Sequence, residues 1–407
     1  MDTSRGEPIV RREWAKRLTL LAVTLGLGLV VLELAARLME PREVLRSYFE
    51  TRDPILNHKF IPGAHGYQKT TEYSAYYAIN SLGLRDRELT RQKPAGTRRI
   101  LVLGDSFTEG NGVQAAETAS SVLQEKVDAS GLKTRWEVIN AGVGSYSPLL
   151  EYLYLKTAGL DLQPDVVVLN FDLSDIYDDI QYTRLARFDE RGDPVAVTAD
   201  PQAPRSRLVA SLVRLRDFVR DHFRIYNFLA RRIPTLLVKP ETSGDIQVDK
   251  YAMLRDNYRG HRDAGWELSY RYLVDIQDTL KAHGIEFLVT VYPYGNQVSP
   301  NEWGTGRRYW GFEAGRVYST APQEWITDFC HAHGIEVVNM CDDFRSAART
   351  ASGLYFDRDG HWRPAGHQIA AAILYRALLP HLYRYEPSRA SEPAAASAPL
   401  PPSGNGR

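Results

Sequence analysis

No sign of charge prevails in this 407-residue chain: 50 Lys+Arg balance 50 Asp+Glu. The whole-chain basic field that draws in nucleic acid is therefore absent, and no nucleic-acid partner is expected. Cysteine is scarce, with only 2 residues, which excludes a disulfide scaffold and a Cys-rich zinc module. Those two, Cys330 and Cys341, are not expected to pair. Cys330 lies near the end of a helical stretch, whereas Cys341 closes a strand at 335–340. At about 3.3 Å per residue that strand carries Cys341 roughly 20 Å past the turn, and a disulfide needs Cα atoms within about 7 Å. Both read as buried thiols. Internal repeats are also lacking. Hydrophobic residues at 43% and charged residues at 25% exclude global disorder.

One long hydrophobic run stands out. Residues 18–32 are 15 positions without a charge. Alone they span about 22 Å as a helix. Extension through Met39 gives about 33 Å, enough for a hydrocarbon core of roughly 30 Å. Glu33 and Arg37 are then four apart near one end and can pair along the helix. A cleaved signal peptide is the alternative, but no clear Ala-x-Ala site follows the run. Arg5, Arg11, Arg12, Lys16 and Arg17 precede the span and Arg37, Arg42, Arg46 and Arg52 follow it. This weak bias, with the short basic tail, favours a cytoplasmic N-terminus and the bulk of the chain outside. The expected organisation is a tail at 1–17, a transmembrane signal anchor at 18–39 and a juxtamembrane segment at 40–95. A main domain follows at 96–385, with a helical insertion at about 180–265, and a disordered Ala/Pro/Ser tail at 386–407.

The main domain reads as α/β. Strands are expected at 98–103, 136–140, 165–171, 286–292 and 335–340. Helices are expected at 118–129, 148–158, 266–282, 322–332 and 364–382. Alternation of this kind implies a parallel sheet with helices on both faces, a three-layer flavodoxin-like arrangement. The continuous apolar run at 166–169 suits a strand buried on both sides. Within the insertion, 205–232 holds eight arginines against Asp217 and Asp221. It reads as a cap helix with a solvated Arg face, or as a basic amphipathic helix on anionic lipid.

Two segments carry chemistry. The first is Gly104-Asp105-Ser106, directly after the first strand. A serine there sits at the rim of the sheet, where open α/β folds place their sites, although Asp and Ser are also common helix caps. The second is Asp359-Gly360-His361, followed by Pro364 at the start of the last helix. A serine nucleophile needs a base, and the base needs a carboxylate to fix its tautomer. A metal set from Asp357, Asp359, His361 and His367 is the competing arrangement, with no further ligand cluster to support it. No metal and no cofactor are expected.

Together these segments resemble the SGNH hydrolases, also called the GDSL esterase family, over roughly 96–385. The resemblance implies Ser106 as nucleophile, His361 as general base and Asp359 as its orienting acid. Ile139-Asn140-Ala141-Gly142-Val143-Gly144-Ser145 is similar to the family's second block, which implies an oxyanion N–H from Gly144, or alternatively Gly142. Where the family carries an oxyanion asparagine after its third strand, this chain has Asp172-Leu173-Ser174-Asp175, which leaves Ser174 as the donor. The Asp-x-His spacing and the preceding anchor resemble a cell-envelope branch that includes alginate O-acetylation proteins. That implies an acylated carbohydrate or other ester substrate, with acetyl groups on an envelope or exported polysaccharide. It also implies an inner-membrane, single-pass location and possible polysaccharide-assembly partners. Trp303, Tyr309, Trp310 and Phe312 could stack on sugar rings, although aromatics are more often core. The competing function is a non-catalytic polysaccharide-binding or assembly subunit on a hydrolase fold, for which the loss of the asparagine speaks.

Overall fold

The structure is a computed structural model that describes residues 7–39, 49–198, 219, 223, 225, 251–258 and 263–386. The stretch 205–232, apart from those three positions, and the tail beyond 386 lie outside the described residues. The N-terminal helix runs Glu7–Met39. Its segment Lys16–Leu38, 23 residues, is long and apolar enough to cross a membrane; near its end Ala36 is buried and Glu33 Oε2 accepts the Ile225 N–H at 3.0 Å. Arg37 Nε meets Glu33 Oε1 at 2.7 Å, the helix-face pair expected from their spacing.

Four short strands precede the main sheet: β1 (Glu50–Asp53), β2 (Asn57–Phe60), β3 (His65–Lys69) and β4 (Ser74–Ala78), forming two antiparallel hairpins. The sequence alone predicts only a juxtamembrane segment here. Instead, Phe49, Leu56, Phe60, Tyr77, Ile79 and Leu84 join the main hydrophobic core. The hairpins were not legible because their strands are only 4 or 5 residues long and mostly polar, below the length at which period-2 alternation is distinctive.

The main sheet contains β5 (Thr97–Gly104), β6 (Arg135–Asn140), β7 (Val166–Phe171), β10 (Glu286–Val291) and β11 (Glu336–Asn339), in spatial order β11-β10-β7-β5-β6. All its pairings are parallel. β7 is buried at all six positions, as its unbroken Val/Leu run requires of a strand covered on both faces. The helices Ala119–Asp128 and Pro364–Arg384 pack together, and Pro148–Tyr154, Asp175–Leu185 and Ala264–Ala282 form a second group. Among the described insertion residues, Ala186–Phe188 (β8) and Pro194–Val197 (β9) make a small hairpin. Cys330 and Cys341 are free and buried, and burial pushes the Cys330 thiol up to about 12.

The order matters for function. β5 starts the sheet, and the chain then goes to one side (β6) and afterwards to the other (β7). At such a switch point the loops leaving the carboxyl ends of β5 and β7 diverge and open a crevice. Ser106 follows β5 by two residues and Ser174 follows β7 by three.

Candidate active site

Gly104 turns the chain sharply out of β5. Its φ is +151°, and a Cβ there would meet Thr108 Oγ1 at 2.1 Å, so no larger residue fits. Asp105 then caps the short helix Ser106–Glu109, its Oδ1 accepting the Phe107 N–H at 2.8 Å. The aspartate is thus a helix cap, and the serine beside it lines a crevice. The turn is anchored from below by a polar chain. Thr290 Oγ1 donates to Asn170 Oδ1 (2.6 Å), and Asn170 Nδ2 donates to Thr108 Oγ1 (2.8 Å).

From the other side comes the loop before the last helix. Gly360, at φ +89°, allows the tight bend between Asp359 and His361, and a Cβ would strike the Trp303 ring at 2.6 Å. The bend brings both side chains together. Ser106 Oγ lies 2.6 Å from His361 Nε2, and His361 Nδ1 is hydrogen-bonded to Asp359 Oδ1. Burial works against the Asp359 carboxylate, but the adjoining His361 and its hydrogen bonds outweigh burial and hold the carboxyl below its usual range. The acid is thus ionised at neutral pH, as orientation of an imidazole requires. Serine, imidazole and carboxylate in this order can activate a hydroxyl for attack on a carbonyl.

A cavity of about 170 Å³ opens beside them, lined by Ser106, Ser145, Ser174, Tyr251, Tyr294 and Trp303 among others. Ser174 lies on its wall, and its own N–H is taken by Asp172 Oδ1 at 2.6 Å. Only its hydroxyl can serve the cavity. Gly144 does not line it. Its N–H donates to the buried Glu109 Oε2 at 2.7 Å, and the Gly142 N–H goes to Asn140 Oδ1 at 3.0 Å. Neither glycine offers the donor expected from sequence, because buried side-chain oxygens have captured both N–H groups. The next residue is the one that faces the cavity. Ser145 has φ +62°, a left-handed conformation uncommon outside glycine and often found at functional sites. The sequence signal that could have found it is its position directly after the glycine pair, where the left-handed bend falls on serine.

The four residues weighed as a metal set do not come together. His367 Nδ1 accepts the Ala119 N–H at 3.1 Å, and burial drives this histidine down to about 3, so it is neutral. Asp357 instead caps the neighbouring segment through the Thr305 N–H. A different group of acids lies behind the serine: Asp105, Asp172 and Asp175 place carboxylate oxygens within 4.8 Å of one another. Burial first, then repulsion from Glu151 and the neighbouring aspartates, raises the Asp175 carboxyl well above its usual range. The upward shift favours the protonated form, which lowers the cost of packing several carboxylates together. Of the four aromatics weighed for sugar stacking, Trp303 and Phe312 are buried, Trp310 packs edge-on against Tyr251, and Tyr309 is exposed. They do not form one platform.

No curated protein sequence matches the chain. Solved structures resemble it at low identity. One is an acetyl xylan esterase, AlAXEase, with 13% identity and a TM-score of 0.38, covering 69% of this chain and 100% of that one. Another is an acetylxylan esterase from Geobacillus stearothermophilus in a catalytic-mutant form, with 11% identity and a TM-score of 0.38, covering 71% and 96%. A putative lipolytic protein of the G-D-S-L family from Desulfitobacterium hafniense shows 12% identity and a TM-score of 0.37, covering 69% and 99%. The family comparison reaches further, since the GDSL-like lipase/acylhydrolase model matches residues 102–369. That span runs from the strand before Ser106 to the helix after His361. The chain belongs to the GDSL-like lipase/acylhydrolase family and is an ester-hydrolysing enzyme.

Proposed function

We propose that the protein is a membrane-anchored serine esterase that removes short acyl groups, chiefly acetyl, from an envelope or exported polysaccharide through an acyl-Ser106 intermediate. The observation that carries this reading is the contact path from Ser106 Oγ through His361 Nε2, at 2.6 Å, to Asp359 at the wall of one cavity. Ser106 Oγ attacks the ester carbonyl while His361 Nε2 takes its proton. Asp359 keeps the proton on Nδ1 and balances the imidazolium that forms. The developing oxyanion is met by the Ser106 N–H, the Ser145 N–H and the Ser174 hydroxyl. His361 then protonates the leaving alkoxide, and the alcohol departs from acyl-Ser106. Water activated by His361 attacks the acyl group, and the carboxylic acid is released. A sugar hydroxyl in place of water would give acyl transfer from the same intermediate.

The cavity supports a short acyl group. At about 170 Å³ it is close to the roughly 150 Å³ that holds one benzene. That is room for an acetyl ester and a few atoms of the alcohol, but not for a long chain. With p-nitrophenyl esters as the measurement, kcat/KM for the acetate should exceed that for the octanoate by at least about tenfold, since each misfitting methylene costs about 1–3 kcal/mol of discrimination. Equal or reversed rates would count against acetyl preference.

The 23-residue apolar helix supports an anchor, and the basic tail before it supports an inner-membrane, single-pass placement with the domain outside the cytoplasm. Alkaline carbonate should leave the full-length chain in the membrane pellet. A mature chain starting near residue 38, or release into the supernatant, would contradict the anchor.

A further inference from the structure

The β3–β4 hairpin lies outside the span matched by the family model, yet its turn reaches the centre of the site. Glu72 lays one carboxylate oxygen on the N–H of Arg358 (2.9 Å) and the other on the N–H of Asp359 (2.8 Å). Tyr73 donates its hydroxyl to Asp359 Oδ2 at 3.3 Å, the oxygen that His361 does not use. The same hydroxyl accepts from Asn111 Nδ2 at 3.2 Å. Asn111 belongs to the loop after Ser106, and its Oδ1 accepts from Gln68 Nε2, again of the hairpin, at 2.8 Å. The Tyr73 ring packs on Phe356 with centroids 4.9 Å apart. Burial first, then the Asp359 charge, raises the Tyr73 phenol far above its usual range, so it stays a donor.

We infer that Glu72 and Tyr73 are positioning residues for the ester-hydrolysing site: the β3–β4 hairpin clamps the Asp359–His361 loop against Ser106, and Tyr73 sets the charge that His361 feels. The inference rests on the assignment of Asp359 and His361 to catalysis. Its physics is direct. Asp359 sits on a loop with a left-handed glycine after it, and nothing in its own segment fixes the carboxylate's second oxygen. Glu72 removes the freedom of the loop backbone through two charge-assisted hydrogen bonds. Tyr73 removes the remaining rotation of the carboxylate and shares its negative charge.

Two consequences separate this role from mere support of the fold. Tyr73→Phe keeps the ring on Phe356 and deletes only the hydroxyl. A hydrogen bond to a charged group is worth about 10- to 100-fold in an equilibrium, so kcat should fall about tenfold or more with KM nearly unchanged. The carboxylate, no longer sharing its charge, should favour the imidazolium more strongly. The acid limb of the kcat/KM profile should therefore move to higher pH, by about half a unit. Glu72→Gln keeps the shape, removes the charge and should lower kcat with KM again nearly constant. Tyr76→Phe, on the exposed side of the same hairpin, serves as the control and should match the wild type.

The experiment measures kcat, KM and pH profiles of the full-length, detergent-solubilised protein, these three variants and His361→Ala on p-nitrophenyl acetate. Lower kcat for Tyr73→Phe and Glu72→Gln, with an upward shift of the acid limb for Tyr73→Phe, supports the clamp. Wild-type kcat and an unmoved limb in Tyr73→Phe overturn it while leaving the Ser106 assignment intact. Retention of activity by His361→Ala would instead overturn both.

Discussion

Replacing Ser106 by alanine is expected to lower kcat on the best ester substrate by about 10,000- to 1,000,000-fold, and His361→Ala by a similar factor. The double variant should be little worse than either, because in the proposed mechanism the hydroxyl and the imidazole 2.6 Å away act in one proton transfer. Asp359→Asn should cost less than loss of His361, since the imidazole remains but loses its orienting charge; about 10,000-fold is the scale for such a change. The wild-type rate should rise with pH along a limb of slope one. His361 must be neutral to accept the serine proton, whereas Asp359, whose carboxyl is held below its usual range, is already ionised there. Additive losses in the double variant would mean that the two residues do not act together.

The second large effect is expected at Ser174. Its N–H is engaged by Asp172, so the hydroxyl alone can reach an oxyanion in the cavity. Ser174→Ala should reduce kcat by about 10- to 1,000-fold with little change in KM, the pattern of a contact made only in the transition state. Ser174→Asn tests whether the cavity admits the larger amide; activity at or above wild type would show that it does. An unchanged rate in Ser174→Ala would remove this residue from the oxyanion hole. The backbone donors would then be left to carry it, with Ser145 in its left-handed conformation as the residue turned to the cavity.

How much of this could be read from sequence depended on how local the cause was. The strands of the main sheet were legible because β5, β7 and β10 carry runs of Val, Leu and Ile that fit only a sheet covered on both faces. Gly104 and Asp359-Gly360-His361 were legible because turn chemistry and proton chemistry fall on adjacent residues. Gly144 was misplaced for a non-local reason: the carboxylate that takes its N–H is Glu109, which also accepts from the Tyr77 hydroxyl at 2.8 Å. Tyr77 in turn comes from β4. Nothing within the second block signals a partner 35 positions earlier in the chain. The roles of Glu72 and Tyr73 were hidden in the same way, since their partners lie 286 positions further on. Polar residues in a short, turn-rich segment look like a spacer until the fold brings the Asp359–His361 loop against them.

The covalent role of Ser106 is tested most directly by the intact mass of the native protein after exposure to a fluorophosphonate. The wild type should gain one adduct, mapped to the peptide containing Ser106, with labelling slowed sharply in His361→Ala and absent in Ser106→Ala. An unlabelled wild type, or an adduct that persists in Ser106→Ala, would contradict the acyl-serine mechanism.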